Sequence, residues 1–323
     1  MRTCGLLLVF VLTFVTASAT GPDPKYKAPR TPQGQPDLQG VWNFNSDVPL
    51  ERPTAFADRK FFTREELAKQ SGERESGLDS IAKVAPVEIF DRSWLDYRAR
   101  IENLRTSLIA YPENGRLPKF VEGVQRIGGL AAILNPVRGT RPVRFPFGGI
   151  GADGPEDRGL SERCLPGPSP PFLPGFDSNY LQVFQTREHV VLLTDSDARI
   201  VPIDGRPHVG ERLRRWSGDS RGHWEGDTLV VDTRHFNGLT QSFADAGTSR
   251  EKVVTERFTR VSTHAIEYEA TIVDPKTFED RIVLSFPMAQ VETRIYETAC
   301  HEGNYSMSMT LAGARAQETA KAR

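Results

Sequence analysis

Lys252-Val253-Val254-Thr255-Glu256-Arg257-Phe258-Thr259-Arg260-Val261 and, after a short turn, Ala265-Ile266-Glu267-Tyr268-Glu269-Ala270-Thr271-Ile272-Val273-Asp274 alternate apolar with polar residues. Successive side chains on a strand point to opposite faces, so a period of two rich in β-branched and aromatic residues predicts half-buried strands. The same texture begins at Tyr180. It predicts strands over 180–186, 189–195, 199–203, 213–217, 222–224 and 228–236, and, beyond the quoted pair, over 281–286 and 293–298. Short turns between most of them favour an antiparallel meander. Glu225-Gly226-Asp227 reads as a tight hairpin in which glycine supplies a positive φ. Glu225 and Asp227 are then turn formers rather than an acid and a base. A meander of this size packs against another layer or closes on itself, and closure into a lipocalin-like β-barrel is the expectation.

The texture changes near Pro155. Residues 20–60 are rich in proline and polar clusters and read as an extended segment wrapping a core, with one strand-like run at Gly40-Val41-Trp42-Asn43-Phe44. Thr63-Arg64-Glu65-Glu66 matches a capping box and predicts a short helix to about Gln70. Trp94, Tyr97, Ile101, Leu104 and Leu108 recur at helical spacing, which predicts an amphipathic helix ended by Pro112 at the latest. A further helix is expected over 120–134, loop over 136–176, and a C-terminal helix over 306–320. The chain is thus mainly β with helical additions. It divides into residues 1–19, a 20–155 segment packing on the barrel, and a 156–323 barrel with its C-terminal helix, the last two forming one unit.

Residues 1–19 carry Arg2, an apolar run from Gly5 to Val15 and the small-residue pattern Ala17-Ser18-Ala19, the features of a secretory signal peptide cleaved near Ala19. The alternative is an uncleaved N-terminal anchor. No later run is long and apolar enough for a membrane span, so an exported chain, periplasmic or extracellular, is expected. Loss of Arg2 changes 41 basic residues to 40 against 42 acidic ones, a formal charge of −2. That balance lacks the electrostatic footprint of a nucleic-acid partner. Arginine outnumbers lysine, 32 to 9. Its planar fork suits carboxylate pairing and ring stacking, and high genomic GC content also accounts for the excess.

Cleavage leaves Cys164 and Cys300, and an even pair in an exported protein reads most simply as a disulfide. In the chain-entropy model, closing so long a loop contributes roughly 4–5 kcal/mol. A metal site of Cys164, Cys300 and His301 is the alternative, but no CxxC or HxxxH spacing supports it, and neither metal nor cofactor is expected.

Cys300 stands in Ala299-Cys300-His301-Glu302-Gly303-Asn304. A disulfide to Cys164 would draw Glu162 and Arg163 towards His301, Glu302 and Asn304. His301, Glu302 and Glu162 are therefore the candidate catalytic acid and base, with pKa values pushed apart as neutral-pH proton transfer requires. Arg163 and Asn304 are binding candidates in the same cluster. In the structural alternative, Arg163 pairs with Glu302 and Asn304 caps the C-terminal helix. Arg206 and His208 lie on an inter-strand loop, where binding residues often sit. Asp232 and His235, three apart on a strand, point to opposite faces. No GxSxG elbow, Walker loop, dinucleotide fingerprint or HExxH motif is present.

Gly40-Val41-Trp42 resembles the Gly-x-Trp that opens the first strand of lipocalins, where an arginine of the last strand lies across the tryptophan; Arg294 occupies the comparable place. Pro36-Asp37-Leu38-Gln39-Gly40-Val41-Trp42, Arg105-Thr106-Ser107-Leu108-Ile109, Glu162-Arg163-Cys164, the run Trp224 to Thr233 and Cys300-His301-Glu302-Gly303-Asn304-Tyr305 together resemble a large uncharacterised family of exported bacterial proteins. That resemblance implies export and one structural type, carries no activity, and suggests a strand at Arg105 to Ile109.

Three functions follow. The first is an exported barrel holding a small organic molecule, with Trp42, Trp216 and Trp224 shaping the cavity. The second is a metal-independent lyase, isomerase or hydrolase on a sugar-like or phenolic substrate, using His301 with Glu302 or Glu162. The third is a structural role in the cell envelope. Oligomeric state is not legible.

Overall fold

In a computed structural model, the structure describes residues 26–84, 102–124, 151–159, 162–165, 170–175, 179–239 and 249–322. Its strands are β1 (Gly40–Asn43), β2 (Ile109–Tyr111), β3 (Tyr180–Gln185), β4 (His189–Leu193), β5 (Ala198–Pro202), β6 (Asp219–Glu225), β7 (Thr228–Arg234), β8 (Val253–Ser262), β9 (Ala265–Val273) and β10 (Ile282–Val291). The helices are α1 (Arg64–Val84) and α2 (Tyr305–Lys321).

All ten strands belong to one antiparallel sheet, ordered β5-β4-β3-β1-β10-β9-β8-β7-β6, with β2 pairing on β10. The two runs that decide the fold form β8 and β9, paired from Val253↔Val273 to Ser262↔Ala265. Their alternation is met: Val254, Phe258, Ile266, Tyr268, Ala270 and Ile272 are buried on one face. β6 and β7 join through Gly226, which has the expected positive φ of 61°. β1 lies between β3 and β10, so the N-terminal segment supplies a central strand.

The sheet curls. Arg199 of β5 and Glu256 of β8, far apart in the strand order, pair across the interior. The ladder nevertheless stops at β5 and β6, and the expected closed barrel is not formed. The two end strands meet through side chains instead: a Cβ on Gly222 of β6 would stand 2.8 Å from Cγ2 of Ile203 and 3.0 Å from Cγ1 of Val201.

One end of the curl is strapped by the residues before β1. Trp42 is fully buried and donates from Nε1 to the Leu38 carbonyl at 2.8 Å. Arg260 of β8 covers the indole at 5.4 Å and donates to the Asp37 carbonyl at 2.8 Å. Arg294 was the expected partner, but it is exposed, and residues 293–298 form no strand. Arg260 reaches the ring because it shares the buried face of β8 with Val254 and Phe258.

Other differences have local causes. Residues 213–217 are not a strand, and only Arg215 bridges to Phe236. β10 was expected to end before Pro287 yet continues to Val291. The Ser285 amide points to Leu108 on the β2 side, and by strand alternation the Pro287 nitrogen points the same way, into the gap between β2 and β1 where no ladder bond is lost. Residues 102–108 are not helical, and the strand beside them is β2. Phe120 bridges to Phe278 rather than opening a helix. The expected signal segment 1–19 and the expected helical stretches over 94–101 and 125–134 lie outside the described residues.

α1 begins with the expected capping box. The Glu66 amide donates to Thr63 Oγ1 at 3.2 Å, and Glu66 Oε2 accepts from the Thr63 amide at 2.8 Å. The helix continues past Gln70, docked there by Gln70 and Ser71 on Asp47. We expect Thr63→Ala to cost about 1 kcal/mol, seen as a lower urea midpoint with unchanged slope. An unchanged midpoint would mean the cap carries nothing.

Candidate functional site

The inward face of β8 carries Val254, Glu256, Phe258 and Arg260, so alternation alone drives a carboxyl group into the interior. Glu256 is fully buried. Arg199 donates to both of its oxygens, to Oε1 at 3.0 Å, and the Tyr268 hydroxyl donates to Oε1 at 2.8 Å. A bidentate fork and a phenol offset part of the large desolvation penalty of such a group. Burial disfavours the Arg199 charge, but Glu256 more than offsets this and its pKa is raised. Burial, with Glu256 alongside, pushes the Tyr268 hydroxyl well above the usual phenol range, so it stays a neutral donor.

Residues 170–175 roof this network. The Phe172 amide donates to the Tyr268 hydroxyl at 3.0 Å. The Phe172 ring lies 5.0 Å from the Arg199 guanidinium carbon, 5.7 Å from Phe44, 6.3 Å from Phe258 and 5.9 Å from Tyr268. These are stacking and cation–π distances. Phe172 itself is only partly buried.

Lys252, just before β8, is 5 % exposed and donates to the Pro170 carbonyl of the same roof at 3.3 Å. Its Nζ lies 4.1 Å from the centre of the Phe236 ring. Burial lowers its pKa from 10.5 to about 8, against the opposing pull of Asp274 and then Glu256. Asp274 Oδ1 is buried without a hydrogen-bond partner among the described residues.

The residues singled out from sequence lie elsewhere. Cys164 and Cys300 do form a disulfide, with Cα atoms 5.6 Å apart. Asn304 holds that joint, donating to the Glu162 carbonyl at 2.8 Å and to Cys164 Sγ at 3.2 Å. It stands at the N-cap of α2 but caps no backbone amide, because its Oδ1 accepts from Ser306. Glu162 is taken by Arg158 at 2.8 Å and by the Gly159 amide. His301 and Glu302 are exposed, and their side chains meet no hydrogen-bond partner among the described residues. Arg163 makes no ion pair with Glu302. The cluster is thus a joint between the 162–165 segment and α2, a helix with no buried residue.

His208 sits between two carboxylates, Nδ1 2.9 Å from Asp219 and Nε2 3.1 Å from Asp232. Both nitrogens are occupied, which makes the residue a clip for its loop. β7 ends at Arg234, and His235 turns back with φ 58°, bringing its ring 5.8 Å from His208. Asp232 and His235 therefore share one cluster after all, because the strand stops between them. Arg206 is exposed and paired with Asp204, whose carboxyl it holds down to about 2. Trp224 packs half-buried on the core, and Trp42 is a core residue of the strapped end. Among the described residues no group of three or more histidine, cysteine, aspartate or glutamate side chains is arranged to hold a metal ion, and no helix is long and apolar enough to cross a membrane.

Comparison of the chain with family models, curated proteins and solved structures finds no match in any of the three.

Proposed function

We propose that the protein is an exported binding module for a small aromatic molecule, bound where the Phe172 ring now sits. The observation that carries this reading is the cage of Phe44, Phe258, Tyr268 and Arg199 around the ring of Phe172, a partly buried residue on a proline-rich segment. Phe172 acts as an internal place-holder, and a ligand of the same shape competes with it. The buried Arg199–Glu256 pair supports the reading. Such pairs add little net stability compared with apolar residues, so this one is better accounted for by a specific contact to a guest. The disulfide accords with an oxidising compartment.

The test is a thermal-shift titration with p-cresol, against cyclohexanol as an equally small ligand lacking a π face. Wild type is expected to show a saturable rise in Tm with p-cresol and a weaker one with cyclohexanol. Phe172→Ala is expected to bind p-cresol about tenfold more tightly, because the internal competitor is gone. Binding by Phe172→Ala alone would sink the reading, since any new apolar cavity accepts such molecules.

A further inference from the structure

We propose that Lys252 and Asp274 form a covalent capture site for an aromatic aldehyde or ketone, in which the Lys252 amine condenses with the carbonyl group to an imine. The proposal rests on the reading that the interior admits a small aromatic guest. Three features place the chemistry. The amine is buried over the Phe236 ring rather than in solvent. Asp274, 3 % exposed and set opposite Lys252 by continuation of the Val253↔Val273 register, keeps Oδ1 free of any hydrogen bond among the described residues. One acceptor of the amine, the Pro170 carbonyl, belongs to the segment that also carries Phe172, so the ring cage and the amine border the same roof.

In the reaction the nitrogen lone pair attacks the carbonyl carbon, forming the C–N bond as the C=O π electrons move to oxygen. The nitrogen loses a proton and the oxygen gains one, giving a carbinolamine. Loss of hydroxide with a further proton releases one water and leaves C=N. Asp274 Oδ1 is the group to accept and return these protons. Desolvation supports the role: with a pKa of about 8, roughly a tenth of the amine is unprotonated at pH 7, against well under a thousandth for an ordinary lysine.

Among the described residues Lys27, Lys60, Lys69, Lys119, Lys276 and Lys321 are exposed, and they provide internal controls. The full-length protein is incubated at pH 7 with benzaldehyde and sodium cyanoborohydride, which fixes an imine as a secondary amine, and adducts are mapped by peptide mass spectrometry. Lys252 is expected to be labelled at least tenfold faster than any of these six, and excess benzyl alcohol to slow that labelling. Asp274→Asn is expected to slow it several-fold, with a thermal melt to confirm folding. Label confined to exposed lysines overturns the proposal. If benzaldehyde and benzyl alcohol then still raise Tm equally, guest binding stands and carbonyl capture alone fails; if neither raises it, both readings fall.

Discussion

Glu256→Ala is expected to destabilise the protein by about 3–5 kcal/mol. The cause is not loss of a strong bond. Removing the carboxyl group leaves Arg199, 9 % exposed, charged and unpaired against apolar neighbours, and strips the Tyr268 hydroxyl of its acceptor. The triple change Arg199→Met, Glu256→Leu, Tyr268→Phe removes the whole polar set at similar volume and is expected to lie within about 1 kcal/mol of wild type, or above it. Urea unfolding of the two variants checks both halves. A Glu256→Ala loss below about 1 kcal/mol would mean that the interior is wet. If the triple variant is stable but no longer shifted by p-cresol, the network serves binding rather than folding.

The second large effect is a dependence of stability on pH that belongs to Lys252. Its folded pKa, about 8, lies below the 10.5 of the free side chain. Between those values the unfolded chain holds more protons than the folded one, so stability rises with pH across that window and is level below it. The two and a half units correspond to roughly 3 kcal/mol. Unfolding of wild type and Lys252→Met at pH 7.5 and pH 10 isolates the residue: because pH 10 still lies below the unfolded value, wild type is expected to gain about 2 kcal/mol of that total relative to the variant. Parallel pH curves would show that the amine is solvated in the folded protein.

Much of the sheet was legible because alternation is a local signal. β8 and β9 fall within a residue of the runs that announce them, and the turn at Gly226 follows from its glycine. What misled was alternation without a partner. Residues 213–217 and 293–298 have the texture of strands, yet strand formation is a property of pairs: the first meets Phe236 through a single bridge at Arg215, and the second forms no ladder among the described residues. Pro287 misled in the opposite sense, since its harmlessness depends on a gap between two strands from distant parts of the chain. The site was partly written in the same alternation. Glu256 and Arg260 share the parity of Val254 and Phe258, and a charge in step with core residues marks a buried polar group. Phe172 gave no such signal, because a ring in a proline-rich loop shows its cage only once the curl brings Phe44, Phe258 and Tyr268 around it. The histidine, carboxylate and amide beside Cys300 have the composition of an active site, yet in the fold they surround a disulfide joint.

The meeting of β5 and β6 over Gly222 bears on how such a sheet survives among its own copies. A row of unsatisfied amides and carbonyls at a sheet margin invites a second chain to add a strand, and proteins commonly deter this with charges, proline or cover. Here the two margins shield one another: each lies where a foreign strand would have to dock, and the methyl groups of Val201 and Ile203 occupy the space over the glycine. Because only side chains hold the junction, parting it breaks no ladder bond. Any side chain larger than hydrogen at Gly222 would wedge the margins apart and expose two templates for aggregation at once.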